Sequence, residues 1–381
     1  MTEQVFGVRF LDLSVRYEDE RIAIKEAIES LMDSGRFIIS DVHDEFEKEL
    51  ACIHSRSFAV GVNSGTDALT IGLRLLNLPK GSKVLTSAFS WLASATSILL
   101  SGNQPYFVDC DESLQLDLDI VESILSRQSE PYSAILIPHL HGNVSDLERI
   151  EDIRVKYGVK IIEDCAQAFG AKDRSGRLAG TVGDVSAFSF NPMKVLGGFG
   201  DGGAILFDEP TLLERAKLLR HSGSLGSLQC GAELSTNCRL DAIQSKILFT
   251  RLRFFRKHRD HRESIYRSYD IAFKEFAPLL RPITRSGENS NHYCYQIICD
   301  NRDDLIGHLN QSHIETRIRH NFIIPDLPVF ERFNSGNFPV ARSLVSRSLC
   351  LPIHNNMASS DVSKVIECVS SFFKNWRGKI A

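Results

Sequence analysis

The chain has 381 residues, enough for two domains and a sizeable core, and its 43% hydrophobic and 24% charged residues match ordinary globular proteins. A net charge of −4 supplies no basic field for nucleic acid or an anionic membrane surface, and no apolar run approaches the ~20 residues of a membrane helix. The nine cysteines are odd in number and include no C-x-x-C pair, so neither a disulfide framework nor a zinc site is indicated and no metal is expected. The N-terminus, MTEQVFGVRFLDL, is acidic and polar early and unlike a signal peptide, so the thiols read as those of a reduced, cytoplasmic protein.

In chain order, RIAIKEAIESLMDSG carries apolar residues at helical spacing and ends at Gly35, a C-cap residue; DVHDEFEKELACIH is a second amphipathic helix. FAVGV is a short apolar strand, followed by NSGTDALTIGLRLLNL, a turn and then a helix. KVLTS, QPYFVDC, SAILIPHL and VKIIEDC are further strands separated by helical stretches, and this alternation predicts an α/β fold built on a large, mostly parallel sheet. From Leu240 a single long basic helix is predicted through LDAIQSKILFTRLRFFRKHRDHRESIYRSYDIAF. The strand HYCYQIIC and a last helix at SSDVSKVIECVSSFFKNW then suggest a smaller α+β domain. The expected division is 1–250 for a large cofactor-binding domain with an N-terminal helical segment, and 251–381 for the small C-terminal domain.

The chemistry concentrates in four places. In GVNSGTDAL, Ser64, Gly65 and Thr66 occupy a strand-to-helix turn, where free N–H groups attract a phosphate; alone, the pattern equally describes an ordinary N-cap. VKIIEDC ends a strand in Glu163 and Asp164, and ligands of open α/β sheets bind off the carboxyl ends of strands. VSAFSFNPMKVLGGFGDGGAILF sets one lysine, Lys194, before a glycine-rich run. Gly198, Gly200 and Gly203 match the dinucleotide fingerprint G-x-G-x-x-G, but they precede a strand instead of following one, and the match is rejected. Glycines beside Lys194 are expected to leave room for a planar ring and for the lysine to swing. Trp91, in SAFSWLASAT, could stack on such a ring. Pyridoxal phosphate needs a phosphate cradle, a carboxylate on its pyridine nitrogen, an aromatic face and a Schiff-base lysine, and the chain carries all four.

The motifs NSGTDAL, HLHG, EDCAQAFGA, SFNPMK with GDGGA, and NCRLDAIQ together resemble the DegT-type sugar aminotransferases, a branch of the fold-type I pyridoxal phosphate enzymes, over nearly the whole chain. The resemblance implies that Lys194 is the Schiff-base lysine and catalytic base, Asp164 the pyridinium partner and Gln167 the contact to the cofactor's ring hydroxyl. It assigns Gly65, Thr66 and Ser189 to the phosphate cradle and Trp91 to the stacking aromatic. Asn237 would reach the phosphate of a second subunit, which implies a homodimer with shared active sites. Where relatives have Gly-Pro after the first helix, this chain has Ser40 and Asp41. His141 replaces the tyrosine of the H-L-Y-G motif beside His139, and HNFIIPDLPVF retains His320 but lacks a tyrosine and a second histidine. His139, His141 and His320 are therefore the candidate sugar contacts, and the departures put the acceptor in doubt.

The implied function is transfer of an amino group from glutamate to a keto sugar, nucleotide-linked, for surface polysaccharide or amino-sugar biosynthesis. Three alternatives stay open: the same transamination on a non-nucleotide sugar such as an oxidised octulosonate of lipopolysaccharide, a pyridoxal phosphate-dependent sugar dehydratase, and a non-catalytic regulatory relative. Lys194 argues against the dehydratase, whose relatives carry histidine at the lysine position.

Overall fold

The computed structural model describes residues 6–38, 41–127, 132–224, 231, 233–283, 289–334 and 336–380; Ser40 and Cys230 lie outside the described residues. Two helices open it, α1 (Glu18–Ser34) and α2 (Asp41–Ile53). α1 stops at Gly35, whose φ of 65° is the left-handed conformation that glycine adopts without a Cβ penalty. The large sheet follows: β1 (Phe58–Val62), α3 (Gly65–Leu75), β2 (Lys83–Ser87), α4 (Leu92–Leu100), β3 (Gln104–Val108), α5 (Leu118–Ser126), β4 (Tyr132–Pro138), α6 (Leu147–Tyr157), β5 (Lys160–Asp164), β6 (Val185–Ser189) and β7 (Gly203–Phe207). Its strand order is β1-β7-β6-β5-β4-β2-β3. Every neighbouring pair is parallel except the two that involve β7, which runs against both β6 and β1. The expected mostly parallel sheet is what forms. Its strands read as continuous apolar runs because helices cover both faces: β4 and β5 bury Ile135, Leu136, Ile137, Ile161 and Ile162 completely.

After α7 (Thr211–Arg220), the single basic helix expected from Leu240 is two helices, α8 (Ala242–Leu252) and α9 (Phe255–Phe273). No proline or glycine forces the break. The halves serve different layers: α8 packs on α1 and α2, whereas α9 packs on the last helix. Phe255 at the joint meets Phe169 edge-on, with ring centroids 5.0 Å apart. Tertiary packing therefore overrides a helical pattern that runs unbroken through the sequence.

The remaining elements are β8 (Arg281–Pro282), β9 (Tyr295–Ile298), α10 (Arg302–Gln311), α11 (Pro339–Arg347), β10 (Ser348–Leu351) and α12 (Ser359–Ile380). β8, β9 and β10 form a three-stranded antiparallel sheet in the order β10-β9-β8, backed by a core that includes Tyr266, Tyr269, Tyr295, Leu305, Val365 and Phe373. Val8 from the start of the chain packs into this core and bridges Ile314.

One glycine controls how β7 lies under the first βα turn. A Cβ on Gly203 would sit 2.4 Å from the Ser64 carbonyl oxygen and 2.8 Å from that of Phe188, both backbone atoms. Gly203→Ala is therefore expected to destabilise the fold by at least the ~1–3 kcal/mol typical of overpacking, read as a fall in the denaturant midpoint. A midpoint equal to wild type would show that the turn yields without cost.

Candidate active site

The residues singled out in the sequence leave the sheet at one edge. β1 ends at Val62 and delivers Gly65 and Thr66; β2 ends at Ser87 and delivers Trp91; β4 ends at Pro138 and delivers His139. β5 ends in Asp164 and leads to Gln167; β6 ends in Ser189 and leads to Lys194. These are the carboxyl ends of strands with a common direction, the place where open α/β sheets bind ligands. A cavity of about 240 Å³ lies there, lined by Gly65, Thr66, Trp91, His139, Asp164, Gln167, Ser189, Lys194 and His320. A second cavity of about 460 Å³ shares Met193 and Lys194 with it and extends along residues 11–17 to Arg251, Arg262 and Asn355.

Glu163 and Asp164 are adjacent, so the pleat sends their side chains to opposite faces of the sheet. Glu163 faces structure. Its carboxylate accepts from the backbone N–H groups of Gly180 (2.8 Å), Val182 (2.9 Å) and Gly183 (2.6 Å), and from His139 Nε2 (3.0 Å). Burial alone would raise its pKa, but these donors, His139 first, outweigh it and hold the carboxyl at about 2. Asp164 faces the cavity with fewer partners: Ser94 Oγ donates to Oδ2 (2.8 Å) and the Ala166 N–H to Oδ1 (3.1 Å). Here burial prevails and pushes the carboxyl above the usual aspartate range, against those two hydrogen bonds and the charge of Lys194.

Lys194 is half-buried, not enclosed, with its ammonium 5.1 Å from the centroid of the Tyr293 ring. Its loop joins β6 to the reversed β7 and closes on itself: the Phe190 N–H donates to Gly202 O (2.7 Å) and the Gly198 N–H to Phe190 O (2.8 Å). A Cβ on Gly198 would lie 2.7 Å from Gln244 Oε1. Gly198 and Gly200 thus allow tight closure of the loop on Gln244, and Gly198 also lines the larger cavity beside Lys194.

At the other end of the cavity, Ser64 caps α3 by accepting from the Asp67 N–H (3.1 Å), leaving the first N–H groups of the helix open. A Cβ on Gly65 would lie 2.7 Å from Ser189 Cβ, so the turn and Ser189 close around a shared space. Trp91 stands at the cavity wall, 56% exposed, and is not a core residue. Gln167 accepts from the His141 N–H through Oε1 (2.8 Å), which turns its amide NH₂ to the cavity. His320 is buried in the wall with Nδ1 unpartnered; His141 is fully buried behind it, ring centroids 5.4 Å apart, and does not line the cavity. Asn237 is exposed and bridges His221, so within one chain it is not brought to the site.

Sequence reading missed Ser94, Tyr293 and Arg319. Ser94 is in the first turn of α4, a small polar residue of SAFSWLASAT that nothing local distinguishes from its neighbours. Tyr293 and Arg319 line the cavity from the second half of the chain, and Arg319 Nη1 donates to the Tyr293 hydroxyl (2.7 Å).

The set fits pyridoxal phosphate. A buried carboxylate with only neutral hydrogen-bond partners has an unmet demand for a cation, which a protonated ring nitrogen supplies. Open helix N–H groups beside a serine hydroxyl suit a phosphate. A fold of this type with a lysine, that carboxylate and that cradle around one cavity defines a pyridoxal phosphate enzyme.

Comparison with known proteins agrees. The DegT/DnrJ/EryC1/StrS aminotransferase family profile matches residues 18–370. The chain is 32% identical over 365 residues to the dTDP-3-amino-3,4,6-trideoxy-alpha-D-glucose transaminase of Streptomyces venezuelae, spanning 95% of each protein. It is 30% identical to the pleiotropic regulatory protein of Geobacillus stearothermophilus, over 97% of this chain and 100% of that one. Its fold superposes on the crystal structure of S. venezuelae DesV in complex with ketimine intermediate, with a TM-score of 0.89 at 30% identity, over 97% of this chain and 99% of that chain. The chain belongs to the DegT/DnrJ/EryC1/StrS aminotransferase family. It is a pyridoxal phosphate-dependent aminotransferase of fold type I.

The opposite environments of the two acids have a measurable consequence. Because the Glu163 pKa falls from 4.5 to about 2 on folding, its contribution to stability is complete above pH 4.5 and is lost as pH drops toward 2. Glu163→Gln is expected to lower the denaturant midpoint at about pH 7 and to flatten the decline between about pH 5 and about pH 3. The same acid slope in the variant and wild type would remove Glu163 from that role.

Proposed function

We propose that this enzyme moves the amino group of glutamate to a keto sugar carried on a nucleotide, yielding 2-oxoglutarate and an amino sugar. The observation that carries the reading is Lys194 at the junction of two cavities, one with Asp164 and the cradle, the other larger and lined by the N-terminal segment. The second space suits an acceptor longer than a free sugar. The S. venezuelae relative, named for a dTDP-linked amino sugar, supports the nucleotide. The end use in surface polysaccharide or lipopolysaccharide belongs to the same proposal.

Pyridoxal phosphate supplies the electron sink that stabilises the carbanion left when the donor Cα loses its proton. Asp164 would hold the ring nitrogen protonated. Lys194 Nζ would take and hold the proton of the donor Cα and, in the second half-reaction, supply one to the acceptor carbon that receives the amine. Gly65, Thr66 and Ser189 would hold the phosphate, Trp91 would cover a ring face and the Gln167 NH₂ would meet the ring hydroxyl. His139 and His320 are the proposed sugar side of the site; His141, placed with them by the resemblance, stands behind the cavity wall and is left out of it. Lys194 supports transamination over dehydration. Lys194 and Asp164 on one cavity support catalysis over a purely regulatory role.

The proposal includes a homodimer, in which Asn237 of each chain serves the other chain's phosphate. Exposed Phe37, Ile38, Met193, Phe199 and Ile243 support contact with a second copy. We place the boundary between cofactor-binding and small domains at residue 250. A cytoplasmic setting is supported by the free cysteines, among the described residues, and by the lack there of any helix long and apolar enough to cross a membrane.

Two experiments test these assignments. Lys194→Ala is expected to keep the cofactor while the glutamate half-reaction slows by about 10³-fold or more, followed in the cofactor's visible absorbance. A near wild-type rate would exclude Lys194 as the base. For the dimer, mixing Lys194→Ala with Asn237→Ala chains gives hybrids with one doubly defective site and one intact site. Activity is expected to recover to as much as about a quarter of wild type. No recovery in hybrids shown to be mixed, given an impaired Asn237→Ala parent, would overturn the shared site while leaving the aminotransferase chemistry intact.

A further inference from the structure

Three side chains with no part in the proposed chemistry converge behind the cavity. Cys294 lies at the entry to β9, Cys350 in β10, and His141 in the turn after β4. They are 0%, 1% and 0% exposed, and their donor atoms all lie within 4.8 Å of one another. His141 Nδ1 is 3.4 Å from Cys294 Sγ. An ion bound tetrahedrally with metal–sulfur bonds of about 2.3 Å and metal–nitrogen bonds of about 2.0 Å sets neighbouring donors about 3.5–3.8 Å apart. The His141–Cys294 edge already has about that length, and the other two edges lie within 4.8 Å.

The placement of His141 is itself unusual. Its φ of 60° is in the left-handed region, uncommon for a residue with a side chain, and its N–H is fixed on Gln167 Oε1 (2.8 Å). The backbone thus holds the imidazole against the two thiols. Antiparallel pairing of β9 with β10 sets Cys350 opposite Gln296, so Cys294 is its diagonal neighbour on the same face. Arg319 stands beside both thiols. Its guanidinium can donate to sulfur once the thiols are ionised, as hydrogen-bond donors around metal-bound thiolates do.

We propose that His141, Cys294 and Cys350 form a three-ligand site for a zinc-class divalent ion. Two thiolates and an imidazole select zinc or cobalt over magnesium or calcium. Binding exchanges the two thiol protons for the metal, leaving two thiolates and a neutral imidazole around the ion and a fourth position for solvent. Tyr293, which adjoins Cys294 in sequence, His320, in ring contact with His141, and Arg319, beside both thiols, line the cofactor cavity. An ion here would therefore brace the wall of the active site. The ligands lie 56 or more residues apart in sequence, which is why no spacing motif announces them.

The test is a cobalt titration of chelator-treated holoenzyme, read in the visible d–d bands of tetrahedral cobalt, to the red of the cofactor. One equivalent per chain is expected, displaced by zinc. The bands should vanish in Cys294→Ser and in Cys350→Ser, weaken at least about 10-fold in apparent affinity in His141→Phe, and persist in Cys52→Ser, which alters an exposed thiol. Absent bands in wild type, or bands that survive the double substitution of Cys294 and Cys350, overturn the site. Because a core variant can fail to fold, thiol alkylation of wild type gives an independent reading. Zinc should slow labelling of Cys294 and Cys350 during unfolding while leaving Cys52 unchanged, and equal labelling with and without zinc also overturns the site.

Discussion

A carboxylate buried without a cation is the constraint around which this active site is arranged. Asp164 is 7% exposed and held by a serine hydroxyl and one backbone N–H, so burial lifts its pKa. Such a group is costly to keep ionised until a positive charge meets it. One residue earlier, Glu163 is fully buried too, yet four N–H donors hold it ionised. The alternation of a strand separates a structural acid from one that faces the cavity within a single peptide bond. His139 belongs to both: its Nε2 serves Glu163, and its backbone N–H donates to Asp164 O (3.0 Å), fixing the strand end that carries both acids.

The reversed strand β7 is the second requirement. A chain leaving β6 parallel to its neighbours would need a long crossover before it could re-enter the sheet. By turning back directly, the connection between Ser189 and Gly203 stays at the ligand-binding edge and holds Lys194 there. Gly203 then passes so close beneath Ser64 that the lysine loop and the phosphate turn rest on each other. The proposed catalytic base and the proposed cradle are thus positioned by the same backbone contact.

Much of this was legible in the sequence because it is local. Short apolar strands each followed by a characteristic residue set (Ser64 to Thr66, Trp91, His139, Asp164, Lys194) announce both the parallel sheet and the edge where its ligand binds. What escaped depends on contacts between distant segments. Ser94 acts only because α4 lays it on Asp164, 70 residues away. Tyr293 and Arg319 reach the cavity from the smaller sheet's side of the chain. The break between α8 and α9 has no local signal, since it follows from two helices packing on different layers. The closure role of the glycines near Lys194 escaped for the same reason: Gln244 and Ser64, remote in sequence, pack against them.

The three histidines that stand near the sugar in the family resemblance are not equivalent once folded. His139 is committed on both nitrogens, Nε2 to Glu163 and Nδ1 as acceptor for the Ser145 N–H (3.3 Å). His141 turns Nδ1 toward Cys294 and sits behind the wall. His320 lines the cavity, is packed on Phe89 with ring centroids 4.9 Å apart, and keeps Nδ1 without a partner; burial and the nearby charges of Arg319 and Lys194 hold its pKa well below the usual histidine range. A neutral imidazole in such a place can offer a hydrogen bond to a sugar hydroxyl without adding a charge beside Lys194. Where relatives carry tyrosine in the H-L-Y-G motif, this chain puts His141 out of reach of the cavity, so the hydrogen-bonding pattern presented to the acceptor shifts toward His320. Specificity for the sugar is therefore to be sought on the Phe89–His320 side of the cavity, while Asp164 and Lys194 are the residues proposed for the chemistry shared with the family.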